Sequence, residues 1–167
     1  MDDGLNLKFE HRDGFHVCGY SVETCLDTCR EDLSLLRRDF DAQKGVLFEA
    51  LGFRDAVYGL MWYTQDHRYR YLIGVEAADA GKAPSGAQCV CIPAAEYAVA
   101  TVPPSVSAFD AWTAFFEKAL PAVGYTPDSN HGLYFEYYPC GMGSGADVSA
   151  ANMDHACELW TPVIRQV

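Results

Sequence analysis

Short, largely apolar runs separated by polar stretches predict the strands of this chain. Each run is rich in β-branched and aromatic side chains and is bounded by glycine, proline or polar residues, a pattern typical of β-strands. Between the last two runs lies 139–156, rich in Gly, Ser and Ala. A loop of that length is usually functional or disordered. The predicted strands cover 15–22, 57–64, 69–77, 95–103, 133–138 and 157–163.

The pattern changes to a helical period after the first predicted strand. Leu33, Leu36 and Phe40 recur at helical spacing with charged residues between them, which predicts an amphipathic helix over 24–42. The following stretch, 43–53, is expected to form a second helical piece.

A second helix is predicted after 95–103. Ser107 and Asp110 have the S-x-x-D spacing of a helix start, and the helix is expected to end around 121–124. Its apolar stripe contains Phe109, Trp112, Phe116 and Ala119.

The element order is β-α-β-β, a linker, and β-α-β-β again. It predicts an α+β fold in which two βαββ repeats form a pseudo-twofold domain with an antiparallel sheet. We expect a single domain over 1–167, with repeat one at about 13–78, a linker at 79–90 and repeat two at about 91–164. Each repeat is too small to bury a core comfortably alone. The halves are therefore expected to pack together, with helices on one sheet face and a ligand groove between the halves.

The formal charge of −11 disfavours direct nucleic-acid binding, because an acidic surface repels phosphates. The same charge suits a cationic partner, although solubility alone explains it equally well. No apolar run is long enough to span a bilayer, and the start does not read as a signal peptide. A cytoplasmic location without membrane contact is therefore expected.

Seven cysteines are present, and their spacing predicts no metal site. Cys25 and Cys29 are separated by three residues and Cys89 and Cys91 by one, unlike the CxxC pairs of structural zinc sites. The odd number and the expected cytoplasmic location argue against disulfides. We therefore expect buried reduced thiols, no metal and no cofactor.

The segment LYFEYYP carries the most unusual chemistry of the chain, since it places Glu136 among four aromatic residues. Strand alternation puts Tyr134 and Tyr138 on the face of Glu136, and Phe135 and Tyr137 on the face expected to meet the second helix. Glu136 is then either a solvated strand residue or the acidic floor of an aromatic pocket. Such a floor would attract a lipophilic cation or raise the carboxyl pKa.

A second carboxylate, Glu158, lies on the last predicted strand. If that strand neighbours the strand of Glu136, both carboxylates can face one groove, where one carboxyl pKa would rise. The pair could then act as acid and base or neutralise a cation. The alternative is that each glutamate is exposed and each nearby aromatic is ordinary core. The candidate ligand-binding residues are Glu136, Glu158, Tyr134, Tyr138, Trp160, Trp62, Tyr58 and Tyr97.

Several motifs, taken in order, resemble the GyrI-like small-molecule-binding domain, the effector-binding domain of AraC-type and MerR-type multidrug-responsive regulators. They are FHVCGYSVET, VYGLMWY, YRYLIGVEA, IPAAEYAVATVP, AFDAWTAFFEKALPAVGY, LYFEYYP and ELWTPV. The resemblance covers about 15–163 and implies two βαββ repeats around a ligand groove. Glu136 matches the glutamate of the family's F-E-x-Y strand, and Glu158 matches that of its terminal E-x-x-x-P strand.

The resemblance also implies three kinds of function. The first is stand-alone binding of a lipophilic, cationic small molecule by aromatic residues and a glutamate. The second is hydrolysis of a strained electrophile such as a cyclopropyl compound, in which Glu136 or Glu158 is the general base and the second glutamate or a tyrosine is the acid. The third is regulation of a protein partner, as in gyrase-inhibitor-like proteins. Transcription regulation would need a partner that supplies a DNA-binding domain.

Overall fold

The computed structural model describes residues 5–52, 56–103, 105–139 and 157–166. In these residues, antiparallel strands form one large sheet, and the long helix Cys29–Leu51 and the continuous helical stretch 108–122 pack against the same face of it. The elements are β1 (Asn6–Arg12), β2 (Phe15–Cys25), α1 (Cys29–Leu51), β3 (Ala56–Gln65), β4 (Arg68–Ala77), a 3₁₀ turn (Ala80–Lys82), β5 (Gln88–Ile92), β6 (Ala95–Thr101), α2 (Ala108–Ala114), a π-helical segment (Phe115–Ala119), α3 (Leu120–Ala122), β7 (Tyr125–Pro127), β8 (Leu133–Pro139) and β9 (Glu158–Arg165).

The strand order is β1-β6-β9-β8-β3-β4-β2-β5, with β7 paired to β9 at one side. The units β2-α1-β3-β4 and β6-α2-β8-β9 are therefore arranged symmetrically about the central β3–β8 pair. This confirms the predicted α+β fold of two βαββ units in an antiparallel sheet. The sequence did not predict the outer strands β1 and β5, and β5 begins inside the stretch expected to be a linker.

The first helix differs from its prediction at both ends. β2 continues to Cys25, because the β-branched Thr24 is fully buried and pairs with Tyr69 of β4. α1 then runs without interruption from Cys29 and stops at Gly52, whose φ of 88° suits a glycine after a helix. None of the described helices is long and apolar enough to cross a bilayer.

The second helix begins as predicted, with the Ser107 hydroxyl accepting a hydrogen bond from the Asp110 N–H at 3.1 Å. It then widens into a π-helical segment in which the Leu120 N–H donates to the Phe115 carbonyl. Pro121 explains the widening, because proline has no N–H to continue the α-helical pattern and its ring disfavours the preceding turn.

The sheet carries a hydrophobic cluster on each face. The helix-side cluster includes Phe40, Phe115 and Tyr138. The expectation that Phe135 and Tyr137 face the second helix is wrong. Those side chains join the opposite cluster, which also contains Phe15, Tyr58, Leu60, Leu72, Ile92, Tyr97 and Trp160.

The prediction of reduced thiols is wrong for two cysteines. Cys18 and Cys89 form a disulfide with sulfur atoms 2.10 Å apart, because the β2–β5 register places them directly opposite each other. Among the other described cysteines, Cys157 is buried, whereas Cys25 and Cys91 are at least partly exposed.

We expect Gly19→Ala to destabilise the fold, because β2 and β4 approach closely at this residue. An added Cβ would lie 2.0 Å from the Ile73 carbonyl oxygen. Overpacking of this kind costs about 1–3 kcal/mol of unfolding free energy, or more against backbone. Denaturant unfolding would measure the loss.

The matched control is Gly45→Ala, where a Cβ in α1 meets nothing within 4 Å. This change should raise the unfolding free energy by about 0.5–1 kcal/mol, since alanine is the better helix former. Equal stability of the two variants would contradict the close approach at Gly19.

Candidate ligand-binding site

A cavity of about 910 Å³ opens on the helix-covered side of the sheet, within the size range of small-molecule sites. Its floor comes from β3, β4 and β8, and its walls come from α2, the segment before α1 and the first turns of α1. The lining residues are Cys25, Leu26, Asp27, Cys29, Leu33, Arg37, Met61, Tyr63, His67, Arg68, Tyr69, Tyr71, Ala108, Phe109, Trp112, Thr113, Phe116, Glu117, Tyr134, Glu136 and Tyr138.

Glu136 lies at the floor and is only 4% exposed, the one buried carboxylate among the described residues. Its Oε1 accepts hydrogen bonds from the hydroxyls of Tyr71 at 2.5 Å and Tyr138 at 2.8 Å. Its Oε2 accepts one from the Trp112 indole N–H at 2.7 Å. Hydrogen bonds to an ionised acceptor are stronger than neutral ones, so three donors hold this carboxylate in one orientation.

Gly59, which has no side chain, leaves space for the hydrogen bonds around Glu136. Gly59 pairs with Glu136 across the β3–β8 junction, and the Tyr71 ring lies over it. A Cβ at Gly59 would lie 2.1 Å from the Tyr71 hydroxyl oxygen and 3.0 Å from Glu136 Oε1. Any larger residue would therefore displace a donor from the carboxylate.

Burial and the nearby Glu136 charge raise the pKa of both Tyr71 and Tyr138 far above the usual value. Both hydroxyls consequently stay protonated and act as neutral donors at physiological pH. Burial and, secondarily, Glu136 also raise the pKa of the Cys157 thiol to about 12, which makes this thiol unreactive.

Three aromatic rings form a wall beside the carboxylate. Trp112 stacks on Phe116 with ring centroids 5.2 Å apart and planes 17° apart. Tyr134 meets both rings edge-on, at 5.0 Å from Trp112 and 5.6 Å from Phe116. The outer rim is also apolar, since Leu26 and Phe109 are 70% and 63% exposed. The cavity thus presents flat aromatic surface from its mouth to its charged floor.

The structure brings together three of the eight predicted site residues: Tyr134, Glu136 and Tyr138 all line the cavity. The expectation that Glu158 shares their groove is wrong. The β8–β9 register places Leu159 opposite Glu136 and Glu158 opposite Tyr137, so the two carboxylates point to opposite faces of the sheet. Glu158 instead accepts a hydrogen bond from Trp160 and lies 3.7 Å from the ammonium group of Lys8.

The remaining predicted residues also lie away from the cavity. Tyr58, Tyr97, Trp62 and Trp160 belong to or pack against the opposite cluster. The chain supplies that cluster with a cation of its own, Arg12. The guanidinium carbon of Arg12 lies 3.7 Å from the ring centroid of Phe15. It also lies within 6 Å of the ring centroids of Tyr58, Phe135 and Trp160.

Tyr69 and Tyr71 of β4 were not predicted as site residues. Trp112 and Phe116 of the second helix were predicted only as part of an apolar stripe. Tyr69 and Tyr71 are two residues apart and share a strand face, just as Tyr134 and Glu136 do. Alternation within β4 predicts that these two tyrosines share a face, but it does not reveal that this face lines the same cavity as Glu136.

By its family, this chain is an effector-binding domain. Residues 8–163 match the Cass2 family, the integron-associated effector binding proteins, and the chain belongs to that family. This confirms the GyrI-like resemblance. No curated protein sequence matches the chain.

Solved structures that share the fold include the following three. SAV2435 bound to tetraphenylphosphonium has a TM-score of 0.66 at 14% identity, over 95% of this chain and 94% of its own. The integron cassette protein Cass2 of Vibrio cholerae has a TM-score of 0.61 at 15% identity, over 97% of both chains. The EcmrR C-terminal domain has a TM-score of 0.63 at 11% identity, over 96% of this chain and 98% of its own.

The raised tyrosine pKa values predict that the protein loses stability in alkali. An unfolded tyrosine ionises near pH 10, whereas Tyr71 and Tyr138 keep their protons in the fold. The folded state then binds more protons than the unfolded state, so stability falls as pH rises above about 10.

Tyr138→Phe removes one of these groups and should give a shallower loss of unfolding free energy between about pH 10 and 11.5. Denaturant unfolding at several pH values, followed by circular dichroism, would measure both slopes. Identical slopes for the wild type and the variant would contradict the assignment of Tyr138.

Proposed function

We propose that the cavity binds a lipophilic organic cation, with Glu136 neutralising its charge and Trp112, Phe116 and Tyr134 stacking against it. The observation that carries this proposal is a buried carboxylate at the floor of an aromatic cavity. Aromatic faces attract cations by about 0.5–2 kcal/mol per contact, and a carboxylate in a site with little water adds a stronger attraction.

The donors around Glu136 favour a cation because all three are neutral. Tyr71, Tyr138 and Trp112 orient the carboxylate through hydrogen bonds but do not cancel its charge. Arg37 lies on the α1 side of the cavity, and its charge acts on Tyr71. A bound cation should therefore lie on the α2 side, against the aromatic wall.

The comparisons support a ligand of this class. Membership of an effector-binding family agrees with a binding role, and SAV2435, which has the same fold, has been solved with tetraphenylphosphonium bound. That ion is large, aromatic and cationic, and these are the properties that the wall and floor of this cavity complement.

The hydrolase alternative requires a glutamate base and an acid that is either the second glutamate or a tyrosine. Glu136 and Glu158 cannot serve as this pair, because their side chains lie on opposite faces of the sheet. The pKa values of Tyr71 and Tyr138, which contact Glu136, are raised far above the usual value, and this makes both hydroxyls poor proton donors near neutral pH. The interaction-protein alternative rests on the overall charge and on the family resemblance rather than on a feature of the cavity. Binding is therefore the function that we propose.

The proposal predicts that wild-type protein binds tetraphenylphosphonium more tightly than tetraphenylborate, an anion of nearly the same shape. Glu136→Gln should weaken cation binding at least about tenfold, which corresponds to ~1.4 kcal/mol, and should reduce the preference between the two ions. Isothermal titration calorimetry would measure each affinity.

Glu158→Gln is the matched control, because it makes the same chemical change on the opposite face of the sheet. This variant should keep the wild-type affinity for tetraphenylphosphonium. Unchanged cation binding in the Glu136 variant, or equal wild-type affinity for the two ions, would refute the charge role of Glu136.

A further inference from the structure

The strand β1 has a free edge in the part of the chain that the structure describes. It is hydrogen-bonded on one side to β6 and has no described strand on the other. Most of its residues are exposed. Unpaired N–H and C=O groups along such an edge can pair with another strand unless side chains prevent it.

Two oppositely charged side chains stand two residues apart on this strand. Lys8 and Glu10 share one face of β1, their charged groups lie 3.4 Å apart, and their side chains are 55% and 48% exposed. Charged residues on an edge usually oppose pairing. A strand that carries both signs can instead select a partner with the reverse order of charges, and an antiparallel copy of itself has that order.

The register of such a pair follows from symmetry. When a twofold axis normal to the sheet relates two antiparallel copies, one residue lies opposite itself. Centring the pair on Lys8 or on Glu10 would place like charges opposite each other, which is destabilising. Centring it on Phe9 places each Lys8 opposite the Glu10 of the second copy. Phe9 is also the middle residue of Asn6–Arg12, so this register pairs all seven residues.

The other face of the strand adds apolar surface. Phe9 is 45% exposed and contacts Tyr125 at 4.5 Å between ring centroids. Ile164 is 48% exposed, and it lies opposite Thr126, beside Tyr125, in the β7–β9 pair. In the register centred on Phe9, the two Phe9 side chains would meet across the axis and bury each other.

We propose that β1 is a self-association edge. Two copies of this chain pair through antiparallel β1 strands, and the two Lys8–Glu10 contacts between the copies set the register. The opposite edge strand, β5, has the sequence QCVCI and contains no charged residue that could select a register. No cavity-lining residue belongs to β1, so this inference does not depend on ligand binding.

Sedimentation velocity on the wild-type chain, over about 1–300 µM, should show a concentration-dependent dimer with a dissociation constant in the micromolar range. Lys8→Glu and Glu10→Lys should each raise the dissociation constant at least about tenfold, since each places like charges opposite each other twice. The double variant Lys8→Glu/Glu10→Lys should recover the wild-type dimer. Lys82→Glu and Glu49→Lys change the net charge equally away from β1 and serve as controls.

Mixing the two single variants gives the sharpest test. A Lys8→Glu chain presents two acidic side chains to the two basic side chains of a Glu10→Lys chain, so a heterodimer should form from two weakly associating samples. A monomeric wild type at all concentrations would overturn the proposal, and so would single variants that dimerise like the wild type. Thermal unfolding of each variant would establish that every sample is folded.

Discussion

The candidate site depends on one constraint: the buried carboxylate of Glu136 must accept hydrogen bonds from the protein in place of those from water. Removing a carboxylate from water costs several kcal/mol unless hydrogen bonds replace its solvation. Glu136 receives them from Tyr71 of the first βαββ unit and from Tyr138 and Trp112 of the second. The carboxylate therefore joins both halves of the sheet to the second helix, and the same contacts that make its burial tolerable fix its direction toward the cavity.

The near-symmetry of the fold is broken where the site forms. At the central strand pair the second unit has Glu136, and the first unit has Gly59 directly opposite. Because Gly59 has no side chain, the Tyr71 ring fits beside it, whereas a larger residue at this position would collide with the ring. The helices differ as well, because the π-helical segment of the second helix follows the turn that carries Trp112. Two similar units thus produce one cavity with a charged floor rather than two equivalent grooves.

Strand alternation was sufficient to predict that Tyr134, Glu136 and Tyr138 share a face, because that relation lies within one strand. It could not predict which face the helices cover, and Phe135 and Tyr137 were therefore placed wrongly. The relation of Glu136 to Glu158 depends on the register between two strands that a long connection separates, and no local pattern encodes it. The Cys18–Cys89 disulfide could not be predicted for the same reason, since the two cysteines are 71 residues apart and only the β2–β5 register joins them.

Both faces of the sheet carry buried aromatic side chains, so aromatic content does not identify the site. The difference lies in the charge that each cluster meets. On the face of Phe15 and Trp160, the guanidinium group of Arg12 already lies over the rings. That cluster therefore packs as a hydrophobic core that contains its own cation. On the helix-covered face, the rings meet Glu136 beside an open volume. The first cluster therefore needs no further cation. In the cavity, Arg37 lies on the α1 side, so the aromatic wall on the α2 side is where we propose that a cation from outside the chain binds.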